Sequence, residues 1–245
     1  TPDLMPSDVL GTTVFNMKTN EFDFHRGPVF ADMILVDEIN RAPAKTQSAL
    51  VEVMEERPVS IDGPTYRMGE LYTILATQNP VEQEGTYKLP EAQLDRFLMK
   101  ITMDYPSLEE EVDILERHHT NAALVKLEDI RAVITRDELL TLRRLMDRVF
   151  VDRTLLQYIA LIVQQTRTSK AVYLGASPRA SVAMLQSSKA YALLQGRDFV
   201  TPEDIKFVAP YVLQHRLILT AEAEMEGYSP VKVTQRLIDK VEVPK

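Results

Sequence analysis

The chain has 245 residues, 45% hydrophobic and 26% charged, enough apolar material for one large buried core or two smaller ones. Lys and Arg number 28 against 36 Asp and Glu, a formal charge of −8 that excludes a generally basic nucleic-acid coat while leaving room for a local basic loop. There is no cysteine, which excludes disulfides, thiolate zinc sites and a cysteine nucleophile, and only four histidines remain for metal chemistry.

No stretch approaches the ~20 apolar residues of a membrane span. The opening Thr1-Pro2-Asp3 has neither the charged nor the apolar region of a signal peptide, so a cytoplasmic protein is expected. The chain does not begin with methionine. His118 and His119 are adjacent, so on a helix they point about 100° apart and do not ligate one ion from one face. They read as a solvated helix end.

Up to about Tyr105 the chain alternates strand-like runs, turns and one helix, whereas beyond Pro106 nearly everything reads as helix. The expected class is α/β, with a parallel-sheet core over residues 1–105 and an all-helical domain over 106–245. Val14 to Lys18 and Glu21 to His25 alternate around Thr19-Asn20, a hairpin pattern. Met33-Ile34-Leu35-Val36 is a continuous apolar run, as in a central strand covered on both faces. From about Pro43 to Glu56 the apolar residues Leu50, Val51, Val53 and Met54 recur with helical spacing. A second hairpin has arms Val59-Ser60-Ile61 and Thr65 to Met68 around Asp62-Gly63. Leu71 to Ala76 reads as another buried strand and Pro90 to Leu98 as a short helix.

In the second half, Ser107 with Glu110 and Thr135 with Glu138 fit capping boxes. Ser177-Pro178 and Thr201-Pro202 place a cap before a proline at the first helical position, and Gly196 suits a helix end. Four or five helices of ordinary length follow. No internal repeat or low-complexity tract is present.

Ile34 to Asn40 carries the strongest chemical signal, a buried strand ending in two consecutive carboxylates, Asp37 and Glu38. Function in parallel sheets sits at the carboxyl ends of strands, where one acid can hold hydrated magnesium and its neighbour can orient a water. An isolated Asp-Glu pair is more simply a solvated turn, but a second strand here ends in Thr77-Gln78-Asn79-Pro80, with an amide placed for a phosphate oxygen or an attacking water. Leu94-Asp95-Arg96-Phe97 puts an acid and an arginine at a helix end, which alone is an ordinary surface pair. Gly175-Ala176-Ser177-Pro178-Arg179 puts an arginine in the first turn of a helix, where the dipole opposes it; an anion bound there would explain the placement.

In this order the segments resemble the MoxR family of AAA+ ATPases, over nearly the whole chain. Leu35 to Arg41 is similar to the family's Walker B motif, Ala76 to Pro80 to sensor 1, Leu94 to Phe97 to the arginine-finger segment, and Gly175 to Arg179 to sensor 2. The first hairpin then corresponds to the helix-2 insert and the second to the pre-sensor 1 hairpin. The implied fold is a P-loop NTPase core, N-terminally incomplete, with two hairpin inserts and a helical lid. One departure is plain: the family's phosphate loop ends in Gly-Lys, and none of the eight glycines here is followed by lysine. Only 36 residues precede Asp37, so the sequence is expected to begin inside the domain and, as written, to bind nucleotide poorly.

The resemblance implies ATP and Mg²⁺ as ligands. Asp37 would help position the metal, Glu38 would polarise the attacking water and Asn79 would orient it. Arg96 would act on the nucleotide of an adjacent subunit in a ring, most often a hexamer. Arg179 would contact the γ-phosphate, of its own subunit or a neighbour's. Further implications are chaperone-like remodelling or maturation of client complexes and a partner with a von Willebrand factor A domain, with Phe15, Phe22, Phe24 and Tyr66 as residues that grip a client or simply pack the hairpins. The competing readings are a magnesium-chelatase-like motor, a nucleic-acid motor, which the −8 charge disfavours, and a non-hydrolytic scaffold, which would not need Asp37, Glu38, Asn79, Arg96 and Arg179 together.

Overall fold

The computed structural model describes residues 3–56, 58–61, 64–79, 87–120 and 127–244. A one-turn helix, α1 (Pro6–Leu10), leads into β1 (Gly11–Asn16), which pairs antiparallel with β2 (Glu21–Arg26) from Gly11↔Arg26 to Asn16↔Glu21. The first arm thus begins and ends earlier than the alternation suggests. Asn16 stops it: its carbonyl accepts the Asn20 N–H at 2.8 Å and its side-chain oxygen the Lys18 N–H at 3.0 Å. Asn20 takes the left-handed conformation (φ 59°), which closes a four-residue turn rather than a two-residue one. At the hairpin base Gly11 has φ 109°, with the His25 carbonyl standing where a Cβ would be.

Next come β3 (Met33–Val36), a short 3₁₀ turn (Ile39–Arg41) and α2 (Ala44–Glu56). Then follow β4 (Pro58–Ser60) and β5 (Thr65–Arg67), paired antiparallel, β6 (Thr73–Ala76), and the short α3 (Glu91–Leu94). The expected Asp62-Gly63 turn and Pro80 lie outside the described residues. β3 and β6 pair in parallel from Met33↔Thr73 to Val36↔Ala76, so their carboxyl ends lie side by side. Ile34, Val36, Ile74 and Ala76 pack with Leu50 and Val53 of α2. The opposite face is open, with Met33 65%, Leu35 67% and Leu75 52% exposed, which corrects the expectation of cover on both faces. An apolar run reports what a strand could bury; the layers present decide what it does bury. The strand expected from Leu71 begins at Thr73, and the helix expected to reach Leu98 stops at Leu94.

The second half consists of α4 (Leu108–His119), α5 (Arg136–Arg148), α6 (Arg153–Thr168), β7 (Val172–Leu174), α7 (Pro178–Leu194), α8 (Pro202–Leu213), β8 (Ile218–Leu219), α9 (Ala221–Met225) and α10 (Pro230–Lys240). Seven helices among the described residues exceed the four or five expected, because the starts capped by Asp152, Thr220 and Ser229 lack the capping-box spelling. The antiparallel pair β7–β8 also corrects the all-helical expectation. The capping boxes at Ser107 and Thr135 form, Ser177 and Thr201 cap their helices, and Gly196 follows α7 with φ 73°. His118 and His119 end α4 in solvent. Tyr158, Ile162, Met184, Ile205, Leu213 and Ile238 form the centre of this half's core. No helix among the described residues is long and apolar enough to cross a membrane.

The halves are joined through Arg216, a buried cation just beyond α8. Its Nε donates to Asp95 Oδ1 at 3.0 Å, and its Nη atoms donate to the carbonyls of Asp95, Phe97, Leu98 and Val212 at 2.9, 2.6, 3.2 and 2.5 Å. Beside it His215 Nε2 donates to the Phe97 carbonyl at 3.1 Å, and Nδ1 has no partner among the described residues. Burial, and then the Arg216 charge, push the His215 imidazole down from 6.5 to about 4.

Because the unfolded chain takes up this proton first, His215 contributes stability above pH 6.5 that is lost as pH falls toward 4. Between pH 7 and 5 this amounts to about 2 kcal/mol. Urea unfolding at the two pH values is expected to show His215→Gln losing less stability than the parent by about that amount; equal losses would contradict the assignment.

Candidate active site

The parallel register of β3 and β6 brings Asp37-Glu38 beside Thr77. The Thr77 hydroxyl donates to Asp37 Oδ1 at 2.5 Å and accepts the Glu38 N–H at 2.8 Å, while the Ile39 N–H donates to the Thr77 carbonyl at 3.0 Å. One side chain therefore fixes both acidic positions. Glu38 occupies the left-handed region at φ 49°, ψ 53°, which is uncommon for a residue with a Cβ. That carboxylate meets Arg41 Nε at 3.1 Å, with both side chains partly exposed. Asn40 Nδ2 donates to the Asn79 carbonyl at 3.3 Å, tying the sensor-like segment to the acidic one. Gln47 of α2 donates to the carbonyls of Ile39 and Tyr87 at 3.1 and 3.0 Å, so the amino-terminal end of α2 is anchored at this site.

Asp37, Glu38 and the Asn40 amide offer oxygen donors only. Asn40 Oδ1 is buried without a hydrogen-bond partner among the described residues. No group of three His, Cys, Asp or Glu among the described residues could hold a metal unaided. This donor set suits Mg²⁺, which keeps several waters and takes one or two carboxylates together with substrate phosphate oxygens.

The arginines gather elsewhere. Arg96, just past α3, meets Glu55 Oε2 at 2.9 Å, and Arg179, in the first turn of α7, meets Glu55 Oε1 and lies 3.9 Å from Asp95 Oδ2. Ser177, the cap of α7, donates to the same Asp95 oxygen at 2.7 Å. The anion expected to explain Arg179 is thus answered in this structure by two carboxylates of the α/β half. Glu55 stands in the last turn of α2, eight residues beyond Gln47, so this cluster lies roughly 12 Å along the helix axis from the acidic strand tips. An open cleft of about 570 Å³, lined by Ser48, Glu52, Ser60, Thr65, Gln93 and Arg96, runs beside it.

Sequence reasoning missed Thr77 as the organiser of the acidic pair, and it missed Glu55. A signal for Glu55 was present: a carboxylate in the last turn of a helix is opposed by the dipole, as Arg179 is at a first turn.

Comparison with known proteins bears on this arrangement. Residues 1–99 match the family model "ATPase family associated with various cellular activities (AAA)" and residues 164–239 match an AAA lid domain. The whole chain is 46% identical to the uncharacterized protein YeaC of Bacillus subtilis, covering 75% of it, and 44% identical to Chaperone MoxR1 of Mycobacterium tuberculosis, covering 66% of it. The chain belongs to the MoxR family of AAA+ ATPases. A crystal structure of a candidate ATPase from Cytophaga hutchinsonii superposes with a TM-score of 0.88 at 40% identity, over all of this MoxR-family chain and 76% of that one.

The left-handed backbone at Glu38 gives a direct test. Glu38→Gly is expected to be about 1 kcal/mol more stable to denaturant than Glu38→Ala, because both lack the side chain and only Ala retains the steric conflict. Helix and strand interiors show the reverse order, so a more stable Ala variant would rule out strain at this position.

Proposed function

We propose that this MoxR-family chain supplies the Walker B, sensor and lid parts of a ring-forming ATPase that couples ATP hydrolysis to remodelling of partner protein complexes. The observation that carries the reading is the separation along α2. Asp37, Glu38 and the Asn79 segment share one end, while Arg96 and Arg179 share the other, held on Glu55. Two such half-sites become complete when the arginines of one subunit meet the nucleotide of the next, which a closed ring, a hexamer as is common in this superfamily, satisfies for every subunit. Arg179 is accordingly assigned to the neighbour's nucleotide, together with Arg96.

Mg²⁺, when bound, would supply charge neutralisation to the phosphates. Asp37, oriented by Thr77, would hold the ion from the β3 tip. Glu38 orients the attacking water and draws its proton. Asn79 is placed to position the same water. Arg96 and Arg179 stabilise the charge that develops on the transferred phosphoryl group, a contribution of about 10³ to 10⁵ in rate for an arginine finger. Residues 1–105 act as the nucleotide-handling unit and 106–245 as the lid.

A chaperone-like role is supported by the likeness to a relative named as a chaperone. In the first hairpin, Phe15 and Phe22 lie opposite one another, 45% and 73% exposed, with ring centroids 5.1 Å apart, whereas Phe24 and Tyr66 meet with tilted rings, centroids 4.6 Å apart, and pack the hairpins together. Phe15 and Phe22 are therefore assigned to client contact and Phe24 and Tyr66 to packing. A von Willebrand factor A domain partner and a cytoplasmic setting belong to the same reading, and the −8 charge weighs against nucleic acid as the client.

In the intact protein, Glu38→Gln is expected to bind ATP normally while hydrolysis falls by orders of magnitude; undiminished turnover would sink the assignment. Arg96→Ala is expected to abolish turnover as well. Mixing these two inactive proteins is expected to restore part of the activity, since a ring then holds sites whose acid and arginine are both intact. Steady-state ATPase assays on the separate and mixed proteins decide it.

A further inference from the structure

Glu55 stands in the last turn of α2, which carries no basic residue, so the negative end of the helix opposes its charge. Arg179 stands in the first turn of α7, where the positive end opposes it in turn. Both residues occupy positions their own helices disfavour, and their mutual contact offsets the two penalties. The second Glu55 oxygen is given to Arg96. A single carboxylate thus joins an arginine of the α/β half to an arginine of the lid, one oxygen to each.

The contacts extend into a chain: Arg96, Glu55, Arg179, Asp95, Arg216. Its exposure is graded. The side chains of Arg216 and Asp95 are 3% and 19% exposed, Glu55 and Arg96 are 29% and 33%, and Arg179 is 48%. Three guanidinium groups against two carboxylates leave one net positive charge, and the accessible end of the chain carries Arg96 and Arg179. Exposed ion pairs contribute little to stability, so folding alone is a weak reason for this arrangement. A preassembled receiver for an anion is a stronger one. Without Glu55 the two guanidinium groups would repel, and each flexible side chain would lose its rotamer freedom only on meeting the ligand.

We propose that Glu55 is a positioning residue that yokes Arg96 to Arg179, so that both guanidinium groups meet the phosphates of a neighbouring subunit as one unit and the lid moves with that contact. This rests on the between-subunit reading above. Glu55 touches no reacting atom; it acts through the arginines.

The test uses the intact protein. Glu55→Gln keeps size and a hydrogen-bond acceptor but removes the charge. It is expected to lower kcat for ATP about tenfold or more, the scale of a misplaced catalytic group. The KM is expected to change by less than about twofold, because a subunit's own nucleotide is held by its other residues. Mixed with Glu38→Gln, whose arginines are intact, it is expected to recover turnover above the sum of the separate proteins. A purely structural role would not produce that recovery. Should Glu55→Gln not assemble, Glu55→Asp, which draws the carboxylate back by one methylene, carries the same comparison. Unchanged kcat in the variant overturns the proposal. So does a loss of kcat without recovery when the Arg96→Ala and Glu38→Gln mixture does recover, since Glu55 would then act inside its own subunit. Failure of both mixtures instead removes the between-subunit reading, and this inference with it.

Discussion

Arg216 is held by Asp95 and four backbone carbonyls, and that contact fixes the segment that carries Arg96 and the Asp95 carboxylate that Arg179 approaches. Taking a guanidinium out of water costs several kcal/mol, which only a nearly complete set of acceptors offsets. Three of the four carbonyls, those of Asp95, Phe97 and Leu98, come from the non-helical segment after α3 and converge with the Val212 carbonyl of α8 on one fork of donors. The same contact explains why α3 ends at Leu94. The position of Arg96 is therefore set by a residue 121 places beyond its neighbour Asp95, and the orientation of Asp95 sets what Ser177 and Arg179 find when the lid packs down.

The helix α2 is the ruler between the two chemistries. Gln47 pins its beginning to the acidic strand tips, and Glu55 pins its end to the arginines. A helix of this length keeps the acidic strand tips and the arginine cluster of one chain apart, which is the separation that the proposed between-subunit reading rests on. Thr77 plays the corresponding part at the tips. Its hydroxyl uses both its donor and its acceptor capacity to hold a backbone conformation that Glu38 would not adopt unaided.

Much of this was legible in the sequence wherever the signal was local. The run Ile34 to Asn40 announced a strand ending in acids, the apolar spacing after Pro43 announced α2, and the capping boxes announced α4 and α5. Signals that depend on distant partners were illegible. Strands of three and two residues, such as β7 and β8, are too short to show alternation, and they form because α6 and α9 bring them together. Cover on both faces of β3 is a tertiary fact that an apolar run cannot encode. The dipole conflict marks Glu55 as unusual along the chain, but only the folded chain shows the two arginines placed against it. Phe15, Phe22 and Phe24 look equivalent along β1 and β2, and only Phe30 and Tyr66, arriving from elsewhere, single out Phe24 as the half-buried one.

That last distinction has an evolutionary side. The first hairpin is anchored at its base by an aromatic cluster and by a glycine that no other residue replaces, while its outer end is closed by polar self-contacts of Asn16 and carries side chains that support nothing beneath them. Substitutions of the exposed Phe15 and Phe22 therefore leave the turn contacts of Asn16, the aromatic cluster at the base and the strand tips in place. Such a layout lets a lineage exchange what the hairpin touches while inheriting the motor unchanged, so divergence in specificity can run far ahead of divergence in mechanism.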